Sequence, residues 1–182
     1  MNIFLELLKI IWFLLPAGVA NMAAGVSGKL MPNFNSPLDL NLKIRNKRIF
    51  GDHKTVRGVL FGVVFGLITY LLQLYLIPKD PFFQTISIFN YQSKIILGLI
   101  FPLGALLGDA TKSFFKRQLS IPPGKPWFPF DQIDWLLGSL LFSYFFIKFS
   151  LVFALSVIVV GLILHLLTKI LGFFLNFQEE KF

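Results

Sequence analysis

Hydrophobic and polar positions divide this chain into five apolar blocks separated by polar loops. The blocks run from about Ile3 to Val26, Val59 to Ile77, Ile95 to Phe115, Trp135 to Ile147 and Leu151 to Phe174. A bilayer-spanning helix needs about 20 apolar residues. Each block therefore predicts a span, with the fourth extended back to about Gln132 to reach length. Only Lys148, Phe149 and Ser150 separate the last two blocks. The expectation is an all-α membrane protein of one integral domain over residues 1–182, with spans at about 3–26, 59–77, 95–115, 132–147 and 151–174. Its polar loops would cover about 29–57 and 116–131. The first block is not read as a secretory signal. It carries Glu6 and Lys9 instead of a basic cluster, and its apolar run is too long.

Composition agrees with the block pattern. Of 182 residues, 55% are hydrophobic and 14% charged, against roughly 25% charged in a typical soluble domain. Phenylalanine supplies 23 positions, and there is no cysteine, which excludes disulfides, thiolate metal sites and a thiol nucleophile. The cations are unevenly placed. Lys29, Lys43, Arg45, Lys47, Arg48, Lys54 and Arg57 crowd one loop, and Lys112, Lys116, Arg117 and Lys125 another. The loop from Pro78 to Tyr91 has Lys79 balanced by Asp80. By the positive-inside rule both basic loops are cytoplasmic, with the N-terminus outside and the C-terminus inside. The net charge of +8 is thus a topological signal. Nucleic-acid binding is not indicated, since the cations adjoin membrane spans and lack an interleaved aromatic platform.

Small residues recur at packing spacing. Gly58, Gly62 and Gly66, then Gly104 and Gly108, form GxxxG steps, and the first block offers Ala17, Gly18, Ala20, Ala23, Ala24 and Gly25. They serve either helix packing within one chain or a homodimer seam. Pro16 and Asn21 interrupt the first block, with Asn21 read as interhelical glue or a ligand contact.

Chemistry centres on nine acidic residues. Glu6, Asp80, Glu179 and Glu180 lie at chain ends or in the outer loop, and Asp39 in a polar loop. Asp52, Asp109, Asp131 and Asp134 remain. Asp109 falls inside an apolar block, where a carboxylate needs protein, water or a metal to face. It shares a helix face with Lys112 and Lys116, and an ion pair with Lys112 is its structural alternative. Asp131 and Asp134 could cap the fourth helix or join Asp109 in a Mg²⁺ site, an ion that takes carboxylates together with substrate phosphates.

The ordered motifs narrow this reading. Thr111-Lys112-Ser113-Phe114-Phe115-Lys116-Arg117 leads to Phe130-Asp131-Gln132-Ile133-Asp134. With them stand Pro16-Ala17, Ala20-Asn21, Gly51-Asp52-His53-Lys54-Thr55-Val56-Arg57-Gly58, Gly108-Asp109-Ala110 and Pro122-Pro123-Gly124-Lys125. From about residue 12 to 172 the chain resembles the CDP-archaeol synthase branch of the phosphatidate cytidylyltransferase superfamily. The linker from Gln118 to Phe130 is shorter than in the bacterial phosphatidate enzymes and lacks their His-Gly-Gly, which favours the archaeal ether-lipid branch.

The resemblance implies that CTP and a membrane lipid phosphate, 2,3-bis-O-geranylgeranylglycerol 1-phosphate, give a CDP-lipid and pyrophosphate. Asp109, Asp131 and Asp134 would hold Mg²⁺, with a second cation as an option. Lys112, Ser113, Lys116, Arg117 and Lys125 would surround the nucleotide. Asp52, His53, Lys54, Thr55 and Arg57 would face the lipid phosphate or triphosphate, and Asn21 the ligand. Lys43, Arg45, Lys47 and Arg48 are read as topological charge alone. No general base is required, and the sequence offers only His53, in a loop, and His165, read as structural. A diacyl phosphatidate cytidylyltransferase is the alternative within the enzyme reading. A small transporter would be expected to show an internal repeat, and a non-catalytic scaffold would leave Asp109 unexplained.

Overall fold

The computed structural model describes residues 2–88 and 95–174. Tyr91, where the loop from Pro78 was expected to end, and Glu179 and Glu180 lie outside them. Six helices form among the described residues: α1 (Ile3–Leu30), α2 (Val56–Leu76), α3 (Pro81–Ile86), α4 (Leu97–Gln118), α5 (Phe130–Tyr144) and α6 (Leu151–Phe174). One small antiparallel hairpin, β1 (Lys43–Ile44) and β2 (Lys47–Arg48), stands between α1 and α2.

Local chemistry sets the ends of these elements. The Asn2 side chain accepts from Phe4 N at 3.1 Å and starts α1. That helix continues to Leu30, four residues beyond the expected Val26, before Pro32 stops it. Thr55 Oγ1 accepts from Gly58 N at 3.2 Å and starts α2. Asp80 caps α3 through Phe82 N at 2.7 Å, with Pro81 at its first position. This short helix, in the loop that starts at Pro78, was not expected. The hairpin was not expected either. Its turn residues Arg45 and Asn46 both have positive φ, at 50° and 63°, the backbone of a two-residue type I′ turn.

The protein is a membrane protein, and among the described residues three helices are long and apolar enough to cross a bilayer: α1, α2 and α6, with mean hydropathies of 2.0, 2.1 and 2.7. The other two expected spans differ from that pattern for identifiable reasons. Asp109, Lys112, Lys116 and Arg117 interrupt α4, and α5 has only 15 residues and ends at Tyr144 rather than 147. Exposed apolar side chains such as Leu60, Val64, Ile68 and Leu72 cover the outer surface of α2.

Phe13, Tyr70, Leu97, Phe101, Leu136 and Val157 fill the core from five of the helices. The glycine stripes close the helix pairs of this one chain. A Cβ at Gly62 would meet the Ala20 carbonyl at 2.9 Å, and one at Gly66 would meet Pro16 and Pro102. A Cβ at Gly104 would stand 2.8 Å from the Gly138 carbonyl, and Gly108 lies directly against the Asp134 backbone. Of the two alternatives, packing within one chain thus accounts for these four glycines, whose faces are covered by α1, α4 and α5. Polar glue adds to this packing: Gln73 Nε2 donates to Trp12 O at 2.6 Å, and Ser139 Oγ to Phe101 O at 3.1 Å.

Candidate active site

The close approach of α4 and α5 at Gly108 brings Asp109 beside Asp134. Asp131 lies one turn earlier on α5. Its carboxylate accepts from Trp127 N at 2.5 Å, while Asp131 N donates to Trp127 O at 3.1 Å. These bonds fix the loop before the helix. The cap residue of α5 is Pro129, without a side-chain cap bond, so the capping alternative for Asp131 is set aside. Asp134 Oδ1 accepts from the adjacent Trp135 N at 2.7 Å, leaving the buried Oδ2 to face Lys112.

One ammonium joins all three carboxylates. Lys112 Nζ lies 3.1 Å from Asp109 Oδ1, 3.0 Å from Asp131 Oδ1 and 2.7 Å from Asp134 Oδ2. The ion pair of Asp109 with Lys112, the structural alternative for that acid, is therefore present as part of a wider cluster. Lys54 pairs with the other oxygen of Asp109. Lys116 Nζ, nearly buried, stands 3.1 Å from the Asp131 oxygens and donates to Lys125 O at 2.5 Å. Such buried pairs persist only when geometry and hydrogen bonds offset the loss of water.

A cavity of about 280 Å³ opens onto this cluster. Asp109, Asp131 and Asp134 line it with Lys112, Lys116 and Lys125, and Asn21 of α1 closes one side. Two residues of α6 that the sequence reading did not place here, His165 and Lys169, form a further wall. The structural role expected for His165 is corrected to this extent. Its i, i+4 spacing with Lys169 in an otherwise apolar block was the available signal.

Other expected ligand residues lie elsewhere. Arg57 Nη1 donates to the carbonyls of Met31, Pro32 and Phe34 at 2.8, 3.2 and 3.1 Å, which completes the C-terminal end of α1. Thr55 caps α2, and Ser113 Oγ donates within α4 to Asp109 O at 3.0 Å. Asp52 and His53 are exposed, and Asp52 pairs with Arg48 at 2.8 Å. Arg117 packs beside Gly51, 3.5 Å from where a Cβ would stand. None of these six lines the cavity among the described residues.

The basic loop is itself organised. Asp39 has no exposed side-chain surface and takes Arg48 at 2.6 Å, with the N–H groups of Phe50, Gly51 and Asn41 at 2.9, 3.0 and 3.1 Å. Burial alone would raise its pKa. The Arg48 guanidinium and those three N–H groups outweigh it and hold the carboxyl well below the usual carboxylate range. Lys47 donates to Gln118 O at 2.6 Å, which ties the hairpin to the end of α4. Arg48 and Lys47, expected to be topological charge only, are corrected to structural anchors.

The donor set suits a hard cation. Three carboxylates converge where a positive group already stands. Among the described residues no three acidic or histidine side chains form a ready-made metal cage, because the Lys112 ammonium occupies their point of convergence.

Comparison with known proteins extends this picture. The profile of the CarS-like CDP-archaeol synthase family matches residues 2–182. The CDP-archaeol synthase of Methanocaldococcus jannaschii is 31% identical over 170 residues, covering 93% of either chain. That of Methanosarcina acetivorans is 33% identical over 180 residues, covering 92% of this chain and 99% of its own. A solved structure, described as an intramembrane enzyme for archaeal membrane lipids biosynthesis, superposes with a TM-score of 0.70. It is 28% identical and covers 88% of this chain and 92% of its own.

Proposed function

The chain belongs to the CarS-like family of CDP-archaeol synthases, and from that premise we propose that it transfers the cytidylyl group of CTP to an archaeal ether-lipid phosphate. The lipid is 2,3-bis-O-geranylgeranylglycerol 1-phosphate, and the products are a CDP-archaeol and pyrophosphate. The observation that carries this reading is the three-carboxylate cluster held by Lys112 at the floor of a lysine-lined cavity.

The chemistry follows from charge. A phosphate-monoester oxygen of the lipid attacks the α-phosphorus of CTP. The new P–O bond forms as the bond to the β-phosphate's bridging oxygen breaks, and pyrophosphate carries away the electron pair. A phosphate monoester has its second pKa near about 6 and is largely ionised at neutral pH, so no residue has to remove a proton. The barrier is instead the approach of two anions, which catalysis by positioning and electrostatic stabilisation addresses. Lys116 and Lys125 neutralise the nucleotide phosphates from the loop side, and Asn21 supplies a neutral polar contact. Lys112 exchanges its carboxylates for phosphate oxygens when substrate enters. Mg²⁺, when bound, would offset charge on the departing pyrophosphate, and Asp109, Asp131 and Asp134 are the residues that would hold it. Arg117, Ser113, Thr55, Arg57, Asp52 and His53 support the site from outside the cavity.

The two charged loops face the cytoplasm by the positive-inside rule, with the N-terminus outside and α4 and α5 crossing together with α1, α2 and α6. The chain has no native cysteine, so single cysteines introduced at Asn46 and at Gln84 report sidedness directly. Labelling of both from the same side of sealed vesicles would contradict the orientation.

The deciding assay gives purified protein in detergent α-labelled CTP, Mg²⁺ and either the ether-lipid phosphate or diacyl phosphatidate, with EDTA and Asp134→Asn as parallel arms. Label is expected in the ether lipid, lost with EDTA and reduced at least about 100-fold in Asp134→Asn. Transfer to diacyl phosphatidate alone would reassign the substrate. No transfer to either lipid by folded protein would refute the cytidylyltransferase reading.

A further inference from the structure

The loop between α1 and α2 leaves its hairpin with apolar residues in the open. Leu40, Leu42 and Ile44 are 72%, 60% and 44% exposed, although buried Asp39 and the tie from Lys47 hold the loop around them. Large apolar side chains grouped on a fixed segment mark a surface that something covers.

Strand geometry says which way they face. Lys43 pairs with Arg48 across the hairpin and Ile44 with Lys47, and Leu42 O extends the ladder by accepting from Ile49 N at 3.2 Å. Residues directly opposite share a face, and successive residues alternate between faces. Lys43 and Arg48 therefore occupy the face turned to Asp39 and Asp52. Leu42, Ile44 and Lys47 occupy the other, from which Lys47 reaches the Gln118 carbonyl at the end of α4. β2 is the strand packed on α4, so β1 is the outer one. Its Leu42 and Ile44 face the same way as Lys47 but beyond the edge of the helix.

The neighbours say what lies there. α1 ends and α2 starts at this loop, and both are long and apolar enough to cross a bilayer. Phe115 and Leu119, on either side of Gln118, are exposed, so apolar surface reaches the level of the hairpin. Lys43 and Arg45 are exposed too and form no ion pair among the described residues. A second copy of this chain would bring like charges against them. An anionic bilayer surface offers the opposite charge with an apolar layer beneath it.

We propose that the β1–β2 hairpin is an interfacial anchor: Leu42 and Ile44 enter the boundary between headgroups and hydrocarbon, and Lys43 and Arg45 bind anionic headgroups. The contact stands apart from the cytidylyltransferase reading and does not depend on what the cavity binds.

Because the chain has no native cysteine, one fluorophore can be placed at a time. Full-length Leu42→Cys, Ile44→Cys and Asp52→Cys, each carrying nitrobenzoxadiazole, are reconstituted in vesicles of phosphatidylcholine alone or with about 30% phosphatidylglycerol. Lipid brominated along its chains quenches a label in the bilayer, and iodide quenches one in water. In the anionic vesicles the Leu42→Cys and Ile44→Cys labels should lose about half their emission to brominated lipid and resist iodide about fivefold better than the Asp52→Cys label. Adding Lys43→Gln and Arg45→Gln to Leu42→Cys should return its brominated-lipid quenching to the level in phosphatidylcholine alone, since each cation near an anionic surface is worth about fivefold in binding. Both labelled positions are exposed, so neither substitution removes a core contact, and if one variant unfolds the other reads the same face. Iodide quenching equal to that at Asp52→Cys would overturn the proposal. So would shielding from both quenchers, the signature of a protein partner or a second copy. Brominated-lipid quenching that is the same with and without phosphatidylglycerol would overturn the assignment of Lys43 and Arg45.

Discussion

At Asp39 a carboxylate without exposed side-chain surface is held by one guanidinium and three backbone N–H groups. Its folded pKa is depressed from the ordinary 3.8, so its contribution to stability is complete above that value and is lost as pH falls below about 4. Thermal unfolding in detergent should therefore show a midpoint that drops between pH 5 and pH 3 in the wild type and is flatter in Asp39→Asn. At pH 7, Asp39→Ala should lose about 3 kcal/mol, or about 10 °C in midpoint. A midpoint within about 2 °C of wild type would show the loop to be held by other means. The sequence did not disclose this residue. Asp39 reads as one more polar loop position, because its partners come from nine to twelve residues along the chain. Asp109 was legible for the opposite reason: an acid inside an apolar block has few ways to exist.

Among the helices, the backbone contact of α4 with α5 decides where the carboxylates stand. A Cβ at Gly108 would collide with the Asp134 carbonyl, whereas one at Gly25 would meet nothing within 4 Å. Gly108→Ala should push α5 away, destabilise the protein by about 2 kcal/mol and reduce turnover about 100-fold, because a backbone neighbour cannot rotate aside as a side chain can. Gly25→Ala should be neutral or add up to about 1 kcal/mol through helix propensity. Comparing melting and turnover of the two variants checks the pair, and equal outcomes would show that the contact does not position the site. The small-residue spacing was readable in sequence, but not which helix would cover it. The hairpin was unreadable for a related reason. Lys43-Ile44-Arg45-Asn46-Lys47-Arg48 lacks both the alternation of a half-buried strand and the usual Asn-Gly turn, and its fixing contact is Lys47 to the distant Gln118 carbonyl.

For the molecule as a whole, the apolar blocks announced a helical membrane protein, and the order of the charged motifs announced its family. The α6 wall was the part that spacing only hinted at, since a histidine and a lysine near the end of an apolar helix also suit an interfacial position. The lysine that joins the three acids has a further consequence. Five lysines surround three carboxylates at the site, so a lone divalent cation meets a surplus of positive charge there. A nucleotide polyanion reverses that balance by drawing Lys112 away. The two ligands are consequently linked, and linkage is reciprocal: each must tighten the other by the same factor. Titration calorimetry should find Mg²⁺ affinity at least about tenfold higher with CTP present, and CTP affinity raised equally by Mg²⁺, about 1.4 kcal/mol of coupling. Independent binding would mean that Lys112 does not act as the resident counter-ion. With coupling, the resting enzyme keeps its carboxylates covered by its own lysines and becomes a metalloenzyme only in the company of its substrate.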